Sequence, residues 1–472
     1  MKNKIIYASI LFSIIISSCN SWLDITPKTE VAVEDLFKTE KGFEDALTSC
    51  YIKMNSTSLY GKDLTMTSID YLAQYWTLYY YFKTEKAIMA FEYDNSSVES
   101  IFNGIYKSMY NLISQTNLIL ENIDKNGSNI SSSKIRNDVK AEALAIRAMS
   151  HFDILRLYGQ LPQNATIEVP LPYAEEVTKE KIPYYNYTDF CAKILKDLDD
   201  AETLFLENND DEDFVKYRFT VNPNEDFLSY RQNRMNYYAV LTLKARYYLY
   251  IGDKDNAYAT ADKLIKLCDE NNIELAGDND LNKGYYCLPS ECFFALSNDK
   301  TYDFSNTLFL NNLYLVSSKL RNNLFKGVDI SSNNRYTKLW SARISYGRSY
   351  PILLKYTKEE DDLDPSPIYK SIIPICRLSE VYLIAMETSP SLDITNELYI
   401  KYMKSRDNLV FGFANQEAAK TEIINEYRRE FISEGYMFYV YKRLGSKNML
   451  WNYHEITETN YIIPLPSTEL KK

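Results

Sequence analysis

A mainly α fold, built as a scaffold of tetratricopeptide-like helical hairpins with a large irregular, loop-rich portion, is what this sequence predicts. Three observations predict it. Apolar residues recur at three- and four-residue steps through long stretches, the spacing that gathers them on one helix face. Ala148 followed by Phe152 is the small-then-large spacing that lets paired helices of tetratricopeptide repeats pack closely. Over 60–95 and again over 270–370 that periodicity fades into turn residues, short β-rich runs and aromatics.

The chain opens on Lys2 and Lys4, an apolar run from Ile5 to Ile16, and then Ser17-Ser18-Cys19. A basic head, a short apolar core and small residues before a cleavage point make a secretory signal. As a helix the run is about 18 Å long at ~1.5 Å per residue, and a membrane span needs about 20 residues. It is therefore too short to cross a bilayer. A cysteine directly after two small residues is what a bacterial lipoprotein signal requires, so residues 1–18 are expected to be removed. Cys19 is the expected lipid anchor, its thiol taking a diacylglycerol; an ordinary signal peptide with a chance cysteine is the alternative. Two or more acyl chains hold a protein stably on a membrane.

After the signal, Ser21 through Pro27 should be extended, because Pro27 lacks a donor and biases its neighbour away from helix. Residues 40–54 read as a first helix. A long helix follows over 97–124, with Phe102, Ile105, Met109, Leu112, Thr116, Leu120 and Ile123 on one face. Ser96 and Glu99 make a candidate capping box at its start. The helix over 134–158 stops at Tyr158-Gly159-Gln160-Leu161-Pro162 and is followed by a partner over 188–206. A second hairpin is clearer: Ala245 to Ile251 ends one helix, Gly252-Asp253 supplies a left-handed cap, and Asp255 to Leu267 begins the next. A further pair is expected at 377–387 and 395–409. The pairs are separated rather than tandem, so they should meet in space instead of stacking as a simple solenoid. We expect an N-terminal half over 19–215 and a C-terminal half over 216–472, joined as one integrated globular unit.

Composition narrows the function. The chain of 472 residues carries a net charge of −11, which disfavours a nucleic-acid partner, since phosphate binding needs concentrated basic surface. Tyrosine is the outlier, with 42 residues against 21 Phe and 4 Trp. Its flat apolar ring and hydrogen-bonding tip suit half-buried surfaces and wet binding sites. After Cys19 come Cys50, Cys191, Cys268, Cys287, Cys292 and Cys376. None forms a C-x-x-C pair, and with only His151 and His454 present no zinc-ligand spacing appears. Scattered buried thiols are expected, with a Cys287–Cys292 disulfide as the alternative. No cofactor and no metal are expected.

At this point the residues resemble a known family, the SusD/RagB nutrient-binding outer-membrane lipoproteins of Bacteroidetes. Cys19-Asn20-Ser21-Trp22-Leu23-Asp24 with Pro27 resembles the family's mature start. Ala141-Glu142-Ala143, Arg147-Ala148, His151-Phe152 and Tyr158-Gly159 with Pro162 resemble its most recognisable helix, and Tyr187 through Asp197-Leu198 to Ala201 the block after it. Arg377 to Leu383, Asn425 to Phe431, Glu434-Gly435 and Pro464-Leu465-Pro466 with Glu469 resemble its C-terminal blocks. Met437 and Val440 stand where the family usually places an arginine and an aspartate, which puts a local ion pair in doubt. The resemblance implies four tetratricopeptide-like hairpins and an irregular ligand-binding half. It also implies an outer-membrane, surface-facing protein partnered with a SusC-like TonB-dependent transporter, binding an oligosaccharide in most branches and a peptide in at least one.

Sugar recognition needs flat aromatic faces for the CH side of a pyranose, ringed by amides and carboxylates for its hydroxyls. Trp76 with Tyr75, Tyr79 and Tyr80 is one candidate platform and Trp340 another, on the expectation that both tryptophans share an exposed face. Ordinary core packing is the competing reading for each, and the better one for any single tyrosine. Catalysis finds little support, so a non-enzymatic role is expected. His151 sits in a scaffold helix, His454 has no partner signature, and no acidic pair stands out as a glycosidase dyad. The acidic runs 209–213 and 359–362 read as solvated loops, with a calcium site as the alternative since oxygen ligands are plentiful, although neither has an EF-hand spacing. A surface glycan hydrolase and a pure protein-interaction scaffold remain the alternatives.

Overall fold

The computed structural model describes residues 33–78, 81–313, 317–345, 348–357, 369, 371–452 and 454–470. The signal 1–18, the expected anchor Cys19, the stretch from Ser21 to Pro27, Tyr79, Tyr80 and the acidic run 359–362 lie outside these residues.

Helices dominate. The frame is made by α1 (Glu40–Met54), α2 (Ser96–Asn126), α3 (Ser133–Tyr158) and α4 (Tyr187–Glu207), with the short α5 (Asp210–Tyr217) after it. It continues through α6 (Tyr237–Ile251), α7 (Lys254–Glu270), α8 (Leu378–Thr388) and α9 (Leu392–Ser405), and is followed by α10 (Gln416–Glu430) and α11 (Met437–Arg443). α1 packs on α2, α2 on α3, α3 on α4, α4 on α6, α6 on α7, α7 on α8 and α8 on α9. Four successive helix pairs thus form one ladder, and the separated hairpins meet in space as expected. Ala148, Phe152 and Ala257 on its helices are buried.

Local chemistry sets the helix ends. Asn95, not Ser96, caps α2: its side chain accepts from the Ser97 amide at 3.0 Å, so the expected Ser96–Glu99 capping box is displaced by one residue. α9 runs earlier than the expected 395–409 because Ser391 caps it and Asp407, at φ 55°, turns the chain left-handed just past its end. Gly252 does close α6 in the left-handed region at φ 88°, and a Cβ there would lie 2.0 Å from Gln163 Nε2.

Among the described residues there are three two-stranded antiparallel sheets: β1 (Leu171–Pro172) with β2 (Tyr184–Tyr185), β3 (Cys292–Ser297) with β6 (Ile372–Arg377), and the hairpin β4 (Trp340–Ser345) with β5 (Arg348–Leu353). β3 and β6 matter most for the architecture. In their register Cys292 faces Arg377 and Ser297 faces Ile372, and Arg377 leads straight into α8. The irregular segment therefore leaves and re-enters the ladder at one point, which lets α8 dock on α7.

Buried charge cross-links the elements. Arg147 on α3 donates through Nε and Nη2 to Asp197 on α4 at 2.7 Å each, and through Nη1 to Asn117 on α2 at 2.8 Å. Arg246 on α6 holds Glu380 on α8 at 2.5 and 2.7 Å. The largest cluster ties the irregular segment to α9 and α10. Arg377 reaches Glu291 at 2.5 Å, Glu430 at 2.6 Å and Glu434 at 2.8 Å. Arg335 reaches Glu426 at 2.6 Å, Arg406 reaches Glu430 at 3.0 Å, and Lys355 reaches Glu434 at 2.5 Å. Arg429 and Glu422 close the set, which balances five cations against five carboxylates. Burial alone would raise the Glu430 carboxyl, but Arg406, Arg377 and Arg335 outweigh it and hold it well below the usual range. Met437 and Val440, where the family has an ion pair, are buried apolar residues.

One acidic run is not a solvated loop. Asp210 opens α5, is fully buried, and accepts from Arg231 at 2.6 Å and from the Tyr237 amide at 2.8 Å. The other acids of that run stand in the first turn of α5, where the helix dipole favours negative charge. The six cysteines of the described residues are buried, unpaired thiols. Cys292 donates toward the Leu288 carbonyl at 3.5 Å and the Cys287 carbonyl at 3.8 Å and forms no disulfide with Cys287, whose thiol burial pushes up to about 12.

Candidate functional site

The two irregular stretches singled out in the sequence do come together. After α1 a turn-rich run leads through the short helix Ser68–Leu72 to Tyr75 and Trp76. From the other stretch, Phe309 meets the Trp76 indole with ring centroids 5.6 Å apart and stacks on Tyr356 at 6.1 Å. The β4–β5 hairpin joins them, with Arg343 donating to the Leu310 and Asn311 carbonyls at 2.7 and 2.8 Å. Tyr75 extends the layer to Trp451, centroids 6.2 Å apart, and Lys319 lies 5.4 Å above the Trp451 ring.

This layer corrects the expected platform. Trp76 is only 1% exposed and Tyr75 2%, and the Tyr75 hydroxyl is committed to the Arg428 carbonyl at 2.9 Å. A ring enclosed on both faces presents nothing to a sugar, so these two residues are core. The cause is their place at the seam between two irregular segments, where large apolar rings supply burial that regular elements do not. Trp340, at the head of β4, is half-buried against the core and does not share an exposed face with Trp76. Tyr79 and Tyr80 fall outside the described residues.

What the seam leaves at its surface is different. Tyr81 is 55% exposed and its ring lies 4.7 Å from that of Phe82. Trp451 is half-buried beneath Lys319, whose ammonium burial holds below its usual range. Flat faces and a cation suit binding. Two of the carboxyls that burial raises, Asp70 and Asp138, lie in the closed interior, Asp70 accepting from the Ser433 amide at 2.7 Å and Asp138 from Asn208 at 2.8 Å. Sequence reasoning passed over Trp451, although it is one of only four tryptophans. His151 takes a structural position: its ring stacks on Tyr173 at 3.7 Å, and Nε2 accepts from the Ala174 amide at 3.1 Å. His454 is exposed.

With the geometry in place, comparison with known proteins is informative. Residues 21–229 match a SusD-like family model described as starch-binding and associating with the outer membrane. A SusD-like protein of Formosa agariphila is 24% identical over 221 residues, covering 43% of this chain. The match spans 37% of that relative's length, little more than a third. Among solved structures, a SusD superfamily protein of Bacteroides vulgatus superposes with a TM-score of 0.72 at 20% identity, over 92% of this chain and 96% of that one. A putative sugar binding protein of the same organism gives 0.69 at 23%, over 92% and 96%. A laminarin-binding SusD-like protein gives 0.67 at 15%, over 92% and 97%. Residues 21–229 match the SusD-like family in sequence, and the fold of the described residues is similar to that of these solved SusD-like structures. The family resemblance read from the sequence is borne out.

Proposed function

We propose that this protein is an outer-membrane-associated lipoprotein that binds an oligosaccharide and passes it to a SusC-like TonB-dependent transporter, without cleaving it. The observation that carries the reading is the match of residues 21–229 to a family described as starch-binding and associating with the outer membrane. The name of the laminarin-binding neighbour supports a glycan as the ligand class. The seam surface, with Tyr81, Phe82, Trp451 and Trp340, is where the ligand is proposed to lie. Cys19 is the proposed anchor.

Titration of the purified mature chain with a panel of polysaccharides and peptides, followed by chromatography of the ligand, tests this. Binding of a glycan that is recovered intact is expected. Shorter products would make the protein a hydrolase, and binding of peptides alone would move it to the peptide-binding branch. Tyr81→Ala is expected to weaken glycan binding about tenfold, which corresponds to 1.4 kcal/mol. Mass spectrometry of membrane-extracted protein should find lipid on Cys19, and Cys19→Ala should abolish outer-membrane attachment.

A further inference from the structure

A groove of about 830 Å³ opens on the helical frame and shares no lining residue with the aromatic seam. That volume falls in the range of about 300–1,000 Å³ typical of small-ligand sites. One wall is a stripe of α2: Asn103, Tyr106, Lys107, Tyr110 and Asn111 recur at three- and four-residue steps beside the stripe that packs into the core. The second wall is the β1–β2 pair, in which Pro172 faces Tyr184, and the third is the C-terminal stretch from Pro466 to Glu469.

Hydrogen bonds hold the walls in place. The Tyr110 hydroxyl donates to the Pro172 carbonyl at 2.6 Å, and the Tyr184 hydroxyl donates to Glu469 Oε2 at 2.7 Å. Tyr106 is 4% exposed and its hydroxyl lies beside that of Tyr110, with the two rings 4.7 Å apart. Tyr184 is 37% exposed and offers its ring to the groove. The charges around it cancel, Lys107 and Lys181 against Glu180 and Glu469, so nothing favours a phosphate, a uronate or a cation.

We propose that this groove is a second carbohydrate site, taking a neutral oligosaccharide with one pyranose on Tyr184 and its hydroxyls toward Asn103, Asn111 and Glu469. Aromatic faces supply the apolar contact, and the amides and carboxylate supply alternate donors and acceptors. This site goes beyond the seam binding proposed above and stands on its own geometry.

Hydrogen-exchange mass spectrometry of the mature chain with maltohexaose and with laminarihexaose tests it. Protection is expected at 103–111, 181–185 and 466–469 with at least one of the two. Tyr184→Ala should remove that protection at an unchanged melting temperature, while Tyr184→Phe, which keeps the ring, should retain most of it. Asn111→Ala, at an exposed position, should weaken binding about tenfold, equivalent to 1.4 kcal/mol. Trp76, Trp340 and Trp451 lie outside the groove, so in a Trp22→Phe background tryptophan fluorescence reports the seam independently. A fluorescence response without groove protection overturns the second site and leaves the proposed function standing. Groove protection without a fluorescence response supports the second site and counts against the seam. Protection by a sulfated or uronate hexasaccharide alone, or by none of the probes, overturns the assignment.

Discussion

Single side chains here divide between wet surface and sealed interior, and Trp76 belongs to the interior. Its indole is closed in by Phe309, so Trp76→Ala removes a large buried ring. That should destabilise the fold by about 3–5 kcal/mol, read in denaturant unfolding, with glycan affinity little changed wherever the variant is folded. Affinity lost without stability lost would return Trp76 to the ligand. His151 carries a second test. Burial, reinforced by the Arg147 charge, holds its imidazole well below the ordinary value. The unfolded chain protonates this histidine below about pH 6.5 while the folded chain does not. Its contribution is therefore constant above that pH and falls by about 1.4 kcal/mol per unit as the solution is acidified. His151→Gln can still donate to the Arg147 carbonyl and accept from the Ala174 amide, so its melting temperature should decline less steeply from pH 7 to 5. Parallel slopes would show that His151 does not titrate in this way. Which rings are buried was not legible in the sequence, because Tyr75 and Tyr81 have the same chemistry and differ only in which segment crosses over them.

Elements were far more legible. The extents of α1, α3, α4 and α7 follow the apolar period and the capping residues closely, because burial on the ladder and the local caps point the same way. Where they diverged, a local bond decided. Asn95 outcompeted Ser96 at the start of α2, and Asp407 ended α9 early. The run 209–213 was misread because its spacing shows only charge, whereas Arg231, which neutralises Asp210, is distant in sequence. Helix joints give the test at this scale. Ala148 on α3 and Ala257 on α7 are fully buried. Ala148→Leu and Ala257→Leu should each cost about 1–3 kcal/mol by overpacking, lowering the melting temperature by several degrees. Curves that overlay the wild type would argue against close pairing at these positions.

For the whole molecule, the blocks that carry the family resemblance turn out to be its charge skeleton. Arg147, Arg377, Glu430 and Glu434 lie within quoted blocks and form buried pairs that fasten one part to another. Breaking one member leaves its partner charged and unpaired, which costs about 3–5 kcal/mol. Glu430→Gln leaves Arg377, Arg406 and Arg335 short of a carboxylate, so it should lose that amount in chemical denaturation, whereas exposed Lys38→Gln should lose almost nothing. Equal losses would mean that the cluster is not a cooperative lock. The irregular portion was recognisable only as an interruption, since its course is set by contacts across the fold rather than by any local period.

The β3–β6 pair has a consequence for how such a scaffold can diversify. Beyond its last register pair, the Asn298 amide bonds the Ser371 carbonyl at 2.7 Å, so both ends of the excursion between them are pinned side by side. Lengthening a loop whose ends are already joined is cheap, about 0.6 kcal/mol for each doubling. The ladder therefore acts as a socket into which excursions of very different length can be plugged. The socket is nevertheless keyed. Arg335 and Lys355 travel with the insert, while Glu426, Glu430 and Glu434 stay with the frame. A replacement segment that failed to return two positive charges to those positions would leave the five carboxylates of the cluster facing only Arg377, Arg406 and Arg429. What is exchangeable is the excursion; what every exchange must carry with it is the charge that seats it.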